Sequence, residues 1–224
     1  MPEIVPLPVV PDHPELSELR SRALACQACS IAERRTHVVF GEGNPFAPLV
    51  LVGEGPGETE DHTGRPFVGR AGKLLDRALG DCGLSRNDVY ICNTVKCRAC
   101  DWEGTKATNR APTELEALNC RQWLIPQLGL IRPLVILCVG APSAKNLIKK
   151  NFQITKERGK YFPGELAKVM MATLHPAYIL RQANISGDGG YSLLVADIDR
   201  AWQTALKLRD RAAEQATLQG ELEL

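Results

Sequence analysis

Three polar side chains that could do chemistry together each follow a short apolar run. Glu54 follows PLVLVG, Asn93 ends DVYICN, and His175 follows KVMMATL. A carboxylate can orient water or stabilise a cation, and a carboxamide donates and accepts at once, which suits reading a Watson–Crick edge. A lone histidine is more often structural, but its convergence with the other two groups favours a functional role.

The loop that begins at Glu54 does not match a phosphate-binding pattern. Residues 52–72 read VGEGPGETEDHTGRPFVGRAG, with six glycines and four acidic residues in 21 positions. No Lys-Ser or Lys-Thr pair follows the glycines, and the next expected helix starts only near Arg70, so both the P-loop and the dinucleotide fingerprint are excluded. Phe67 is an aromatic residue in this polar loop, and its ring could stack on a flat ligand.

Five cysteines point to a second site. Three of the eight, Cys82, Cys92 and Cys138, lie at a predicted helix end or in apolar runs and are expected to be inert. The remaining five predict a metal or cluster site with four thiolates, built on Cys26-x2-Cys29. The other pair is either Cys97 with Cys100, as in a zinc site and favoured by spacing, or Cys97 with Cys120.

Alternating strands and helices must position these groups. Apolar runs predict strands at 48–53, 88–93, 133–139 and 168–174, and helical spacing predicts helices at 14–35, 70–82, 112–131, 141–150 and 190–213. This alternation predicts an α/β fold of three layers, α/β/α, with a central, mainly parallel four-stranded sheet. Ligands bind beyond the carboxyl ends of such strands, so the loops carrying the polar side chains should converge on one crevice.

Length and charge limit the remaining possibilities. The 224 residues suffice for one domain, expected at 20–210, with an N-terminal arm at 1–19 and a polar C-terminal tail at 211–224. The net charge of +1 gives no global signal for a nucleic-acid partner, although a local basic face could still supply one. No apolar run approaches 18 residues, so we expect a cytoplasmic protein without a membrane partner.

Together these motifs resemble family 4 of the uracil-DNA glycosylases, the iron–sulfur branch of that superfamily. The resemblance covers roughly residues 20–205 and depends on the order and loop placement of several motifs. These are GEGPG at 53–57, GRPFVGRAG at 64–72, NTVKCR at 93–98, NRAP at 109–112, Cys120, and HPAYILR at 175–181. The resemblance implies a monofunctional enzyme that flips uracil out of DNA, hydrolyses its N-glycosidic bond and leaves an abasic site in base-excision repair.

The resemblance also implies a role for each residue around the base. Asn93 should pair with O4 and N3–H of uracil, Phe67 should stack on the ring, and Glu60 should block the methyl group of thymine. His175 should stabilise negative charge at O2, while Glu54 positions water or stabilises the cationic sugar.

Two glycines of the loop are further candidates for uracil binding. The backbone N–H groups around Gly55 and Gly57 are expected to contact the base, because glycine allows a close backbone approach. Gly55 stands where the family commonly has alanine. The sequence leaves open whether this loosens the floor of the pocket, but the difference is not expected to abolish activity.

The DNA itself should contact two other loops. The segment 175–181 should enter the minor groove, with Ile179 or Leu180 filling the vacated stack and Arg181 contacting phosphate. Ser143 and Lys145, after the third predicted strand, are further candidates for phosphate contacts.

The resemblance assigns the cysteines to a [4Fe–4S] cluster held by Cys26, Cys29, Cys97 and Cys120. Cys100 then lies in an insertion at 99–108, outside this set, although it remains an alternative ligand. We expect a monomer that binds uracil-containing DNA and, in a prokaryote, lies at the nucleoid.

Two alternatives have different activities. One is an iron–sulfur DNA-binding protein without glycosylase activity, and the other is a self-crosslinking uracil-DNA binder with little turnover. The self-crosslinking branch carries a nucleophilic histidine in an extra loop, whereas this chain has no histidine between 63 and 174. We therefore expect ordinary turnover.

Overall fold

A computed structural model describes residues 12–183, 185 and 187–222 of the chain. The helices are α1 (Pro14–Leu24), α2 (Glu58–Thr63), α3 (Arg70–Asp81), α4 (Glu114–Ile131), α5 (Ala141–Leu147), α6 (Ile154–Glu157), α7 (Pro176–Gln182) and α8 (Tyr191–Leu222). The strands are β1 (Glu42–Gly43), β2 (Leu49–Gly53), β3 (Tyr90–Asn93), β4 (Cys100–Glu103), β5 (Lys106–Asn109), β6 (Val135–Val139) and β7 (Val169–Thr173). Among the helices so described, none has the length and hydropathy needed to cross a membrane.

The main sheet has five strands in the order β1-β3-β2-β6-β7. All neighbouring strands are parallel except β1, which pairs antiparallel with β3. The predicted three-layer α/β/α class is confirmed, and the strand beyond the four predicted is the two-residue edge strand β1. Its shortness explains why no apolar pattern marks it in the sequence.

The two faces of the sheet carry separate cores. Along β2, Val50 and Val52 pack into the core beneath α1 and α4, whereas Leu49 and Leu51 pack into the core beneath α3 and α8. All four side chains are fully buried. A strand buried on both faces has a continuous apolar sequence, which is why this run could be recognised.

Two predicted helix boundaries differ from the structure, and one helix was not predicted. The helix predicted over 14–35 ends at Leu24, and a short 3-10 turn follows at Ser30–Glu33. The C-terminal helix continues through the predicted polar tail as far as Leu222, because that segment is rich in alanine, leucine, glutamate and glutamine, which favour helix. The loop after β2 contains α2, whose first turn is closed by Glu60.

The insertion at 99–108 folds into a small hairpin. β4 pairs antiparallel with β5, with Cys100 opposite Asn109 and Glu103 opposite Lys106. Gly104 has φ +61° at the first of the two central positions of the turn, where glycine is favoured. The hairpin therefore returns the chain to the carboxyl edge of the main sheet at Asn109.

Candidate active site

The polar loops meet in one pocket at the carboxyl edge of the sheet, as predicted from the strand order. Its volume is about 290 Å³, close to the lower end of the range for small-molecule sites, roughly 300–1,000 Å³. The pocket is lined by Glu54, Gly55, Pro56, Gly57, Glu60, Phe67, Ala71, Asn93, Ala99, Asn109, Arg110, Pro112, His175 and Ala177. All seven residues predicted to act on the base or contact it are among them.

Hydrogen bonds fix the loops after β2 and β3 against each other. The carbonyl of Gly53 accepts from the N–H of Thr94 at 2.9 Å. The carbonyl of Glu54 accepts from the Thr94 hydroxyl at 2.6 Å and from the N–H of Val95 at 3.0 Å. The two loops therefore extend the strand pairing beyond the sheet, which brings Glu54 and Asn93 to the same pocket.

Asn93 lies at the base of the pocket with an unpaired acceptor. Its side chain is 1% exposed, and its Oδ1 makes no hydrogen bond to any part of the protein that the structure describes. A buried polar atom without a partner is costly, so such an atom in a pocket indicates a ligand that donates to it. A methyl group at Gly53 would lie 2.4 Å from this oxygen and from Cζ of Phe67, so only glycine fits there.

Phe67 forms another wall and adopts an unusual backbone conformation. Its φ is +52°, in the left-handed region that non-glycine residues seldom occupy. The guanidinium of Arg86 donates to the carbonyls of Pro66 and Phe67, and Arg86 is itself paired with Glu42 and Asp76. This network holds the Phe67 ring, whose centroid is 5.8 Å from that of His175, against the pocket.

Glu60 closes the loop that carries Phe67. One carboxylate oxygen accepts from the N–H groups of Val68 and Gly69 at 2.9 and 2.8 Å, and the other accepts from the N–H of Gly57 at 3.2 Å. The side chain is 9% exposed and forms part of the pocket wall. Three backbone donors therefore hold the carboxylate in one position and tie the two ends of the loop together.

His175 is oriented by the helix that it caps. Its Nδ1 accepts from the N–H of Ala177 at 3.1 Å, which leaves the proton of the neutral ring on Nε2. Burial lowers the pKa of His175 to about 4, with a further lowering from Arg181 and an opposing effect from Glu60. The imidazole is therefore neutral at pH 7 and presents an N–H donor.

The carboxylate of Glu54 is free of protein partners. It makes no hydrogen bond or ion pair with the described residues, and burial raises its pKa above the usual value. A partly desolvated carboxylate interacts more strongly with a nearby cation than an exposed one does. The group is therefore suited to stabilising positive charge or to accepting a hydrogen bond from water.

The wall of the pocket also contains residues whose role was not predicted from the sequence. Asn109 accepts from the guanidinium of Arg98 at 2.7 Å, and Arg110 forms a bidentate pair with Glu116 at 2.7 and 2.8 Å. The hydrogen bonds from Arg110 lower the pKa of Glu116 to about 2. Asn109 and Arg110 belong to the NRAP motif at 109–112, which is one of the motifs that carry the family resemblance. That motif could have pointed to them, but no role was assigned to it.

The structure shows what surrounds Gly55 at the pocket floor. A Cβ at this position would lie 2.7 Å from Cγ2 of Val95, which is 1% exposed. The methyl group of Val95 therefore occupies the space that an alanine at this position would need. Gly55 and Val95 form a packed pair, and the missing methyl does not widen the pocket.

Two of the predicted DNA contacts are corrected by burial. Ile179 is 1% exposed and packs in the core beneath α8, so it cannot fill a base stack. Ser143 is fully buried in α5, so its hydroxyl cannot reach a phosphate. Leu180 and Arg181 lie instead beside the base pocket, where they line an adjoining concavity with Arg70. Lys145 is exposed on α5.

The four cysteines predicted as cluster ligands line a second, apolar cavity. Cys26, Cys29, Cys97 and Cys120 all face it, whereas Cys100 lines a different cavity with Trp102. Burial raises the pKa of the Cys97 thiol to about 12 and also raises that of the Cys120 thiol.

Several N–H groups point at these sulfurs. The indole of Trp123 donates to Cys26 and the N–H of Lys96 to Cys120, both at 3.2 Å. Within the described ranges no three His, Cys, Asp or Glu residues are arranged around a single metal ion. Four thiols that line one apolar cavity, two of them accepting from N–H donors, match the four-cysteine ligation that an iron–sulfur cluster needs.

Comparison with known proteins places the chain in a family. A model of the uracil DNA glycosylase superfamily matches residues 40–199. A type-4 uracil-DNA glycosylase of Thermotoga maritima is 46% identical over 169 residues, covering 75% of this chain and 84% of the relative. Type-4 uracil-DNA glycosylases of Sulfurisphaera tokodaii and Archaeoglobus fulgidus are 39% and 40% identical, covering 76% and 74% of this chain and 78% and 83% of the relatives. The chain therefore belongs to the uracil DNA glycosylase superfamily and, within it, to the type-4 uracil-DNA glycosylases.

Proposed function

We propose that this protein is a monofunctional uracil-DNA glycosylase that starts base-excision repair. The type-4 relatives support this function, and the site supports it through one observation above all. The buried, unpaired Oδ1 of Asn93 lies in a pocket that also contains an aromatic ring, a neutral imidazole and a free carboxylate. These are the groups needed to hold a flipped base and to cleave its bond to the sugar.

Asn93 selects the base by the direction of its hydrogen bonds. Its Oδ1 accepts from N3–H of uracil, and its Nδ2 donates to O4. Cytosine has an acceptor at N3 and donors at N4, so both contacts would be mismatched. Phe67 supplies the stacking surface, and its buried, constrained backbone gives the ring one orientation.

Glu60 excludes thymine by occupying the space near C5 of the base. Its carboxylate is held by three backbone N–H groups, so it cannot easily move away from an added methyl group. Loss of the Glu60 carboxylate would also release the N–H groups of Gly57 and Gly69, which both donate to it. Selectivity and loop closure therefore depend on the same side chain.

Bond cleavage transfers the C1′–N1 bonding electrons to uracil. His175 donates a hydrogen bond from Nε2 to O2 and stabilises the uracil anion while remaining neutral. Glu54 stabilises the oxocarbenium-like sugar and orients water. The water oxygen bonds to C1′, one water proton is released and ultimately balances the uracil anion, and the products are uracil and an abasic site.

The DNA lies across the mouth of the base pocket in this proposal. Leu180 fills the space vacated in the stack, Arg181 contacts a phosphate, and Lys145 contributes a further positive charge. The protein acts as a monomer on uracil-containing DNA in the cytoplasm, at the nucleoid in a prokaryote.

A [4Fe–4S] cluster is held by Cys26, Cys29, Cys97 and Cys120. Its role is structural, because the cavity joins the segment after α1 to the turn after β3 and to α4. The loaded protein should show a broad absorption band near ~400 nm. Cys26→Ser should lose this band and Cys100→Ser should keep it, whereas the reverse result would assign Cys100 as a ligand.

The activity is tested with an oligonucleotide containing a single uracil. Incubation followed by alkali should break the strand at that position, and an oligonucleotide with thymine there should stay intact. Asn93→Ala should slow scission strongly and leave a residual rate that is measurable under single-turnover conditions, whereas the control Asn87→Ala, at an exposed asparagine outside the pocket, should keep the wild-type rate. No scission by the cluster-loaded wild-type protein would refute the function.

A denaturing gel separates turnover from self-crosslinking. We expect no slowly migrating covalent band, because the hairpin at β4–β5 contains no histidine. A covalent band in place of released uracil would support the self-crosslinking alternative instead.

A further inference from the structure

Lys96 is a buried lysine directly behind the base-reading residue. Its side chain is 1% exposed, and it lies in the turn between β3 and Cys97. The Nζ atom donates to the backbone carbonyl of Asn93 at 2.9 Å and to the side-chain oxygen of Gln127 at 2.5 Å. Lys96 therefore connects the turn that carries Asn93 to helix α4.

Gln127 holds Lys96 in a single orientation. Its side-chain Nε2 donates to the carbonyl of Phe40 and to the hydroxyl of Tyr90, both at 3.0 Å, and the residue is fully buried. Because Nε2 is used by these two acceptors, the amide oxygen must face Lys96. The lysine is thus anchored from the helix side by a glutamine that cannot rotate without losing two hydrogen bonds.

Lys96 lies between two sites. No carboxylate lies within 4.0 Å of its Nζ in the described chain, and the ammonium contacts two neutral oxygens and lies 5.6 Å from the Phe40 ring. Lys96 also lines the cavity of the four cysteines, where a bound cluster would supply negative charge near the ammonium. Its hydrogen bond to the carbonyl of Asn93 is the contact that reaches the base pocket.

The carboxamide of Asn93 is aimed by its backbone, which is held by pairing with Gly53 and by the hydrogen bond from Lys96. The side chain makes no hydrogen bond to the described residues, and its Oδ1 is buried and unpaired. The direction of the carboxamide is therefore set by the backbone of the turn. Lys96 is the side chain that holds that backbone at the carbonyl of the same residue.

We propose that Lys96 is a positioning residue for uracil recognition, acting through Asn93. The inference rests on the proposed glycosylase function. Lys96 holds the backbone of Asn93 so that the carboxamide faces the Watson–Crick edge of the flipped base.

A double-mutant cycle tests whether Lys96 acts through Asn93. Single-turnover excision of uracil is measured for the wild type, Lys96→Met, Asn93→Ala and the double variant. Lys96→Met should slow excision by at least about tenfold in the wild-type background, corresponding to ~1.4 kcal/mol. It should change the rate by less than about twofold in the Asn93→Ala background. An equal loss in both backgrounds would overturn the proposal.

Uracil affinity provides a second measurement. As a product of the proposed reaction, free uracil should occupy the same contacts and inhibit. Its inhibition constant should rise in Lys96→Met and not in Lys168→Met, a control at an exposed lysine before β7. An unchanged inhibition constant in a folded, cluster-loaded Lys96→Met protein would refute the positioning role.

Folding is checked by circular dichroism and by the absorption band near ~400 nm. If Lys96→Met does not fold, Lys96→Gln, which retains a hydrogen-bond donor, replaces it in the same cycle. Lys96→Gln should then reduce the excision rate by a smaller factor, and only in proteins that keep Asn93. Failure of the proposed function is distinguishable, because then the wild type and Lys168→Met would also release no uracil.

Discussion

Substitution of Gly55 by alanine tests whether the pocket floor is as tightly packed as the structure indicates. The added methyl group would lie 2.7 Å from Cγ2 of Val95, whereas carbon atoms pack at roughly 3.5–4.0 Å. Either atom must therefore move by about 1 Å. Val95 is fixed by the hydrogen bond from its N–H to the carbonyl of Glu54, so the strain is transmitted to the loop that carries the carboxylate.

The cost follows from the packing of this pair. Overpacking a rigid core typically costs about 1–3 kcal/mol, and we expect Gly55→Ala to destabilise the protein by about 2 kcal/mol. Uracil excision should fall as well, because the displaced loop carries Glu54. Val95→Ala alone should cost about 2 kcal/mol through the cavity that it leaves. The double variant should lose less stability than the two single losses added together, because the alanine at position 55 occupies the space that Val95→Ala leaves empty.

Denaturant unfolding and single-turnover excision of the two single variants and the double variant measure this coupling. We expect a favourable coupling free energy of about 1–3 kcal/mol, with partial recovery of excision in the double variant. Additive losses would refute the packing argument. A Gly55→Ala variant that keeps wild-type stability and wild-type excision of uracil would show that the floor has room for the methyl group.

Three further predictions concern charge and hydrogen bonding in and around the site. The folded pKa of His175, about 4, lies below its unfolded value of about 6.5, so the unfolded state binds more protons between these pH values. Neutral His175 should therefore contribute up to roughly 3 kcal/mol to the free energy of unfolding above pH ~6.5, and this contribution should disappear as the pH falls towards 4. Denaturant unfolding of His175→Gln should show no such pH-dependent loss. Asn93→Asp should reduce uracil excision by at least about 10–100-fold, because a carboxylate cannot donate to O4, and a rate equal to that of the wild type would contradict the assigned contacts. Arg110→Met should destabilise the protein by about 3 kcal/mol, because it leaves the buried carboxylate of Glu116 unpaired, and its unfolding midpoint should recover in part when Glu116 is also changed to glutamine.

Local patterns were sufficient to predict the sheet and its polar edge. Runs such as LVLV and VILCV are apolar without interruption, which indicates strands covered on both faces. Because the carboxyl ends of parallel strands share one edge, the residues after each run had to be neighbours. The convergence of Glu54, Asn93 and His175 was predictable for this reason.

Side-chain direction was not predictable from the same patterns. Ile179 and Leu180 are adjacent apolar residues on α7, and only the packing of that helix against α8 shows that the first is buried and the second faces the concavity. Ser143 is a second example, because its polar side chain gives no sign in the sequence that it is buried. Helix orientation depends on contacts between elements distant in sequence.

The sequence by itself determined the class of the fold, the edge of the sheet where the pocket lies and the family to which the motifs belong. These follow from periodicity and from the order of short motifs, which are local properties of the chain. Only the tertiary structure decided that Val95 fills the space beside Gly55, that Cys100 lies apart from the other four cysteines, and that Lys96 contacts the backbone of Asn93. Each of these depends on the distance between two groups after folding, which residue type and spacing do not specify.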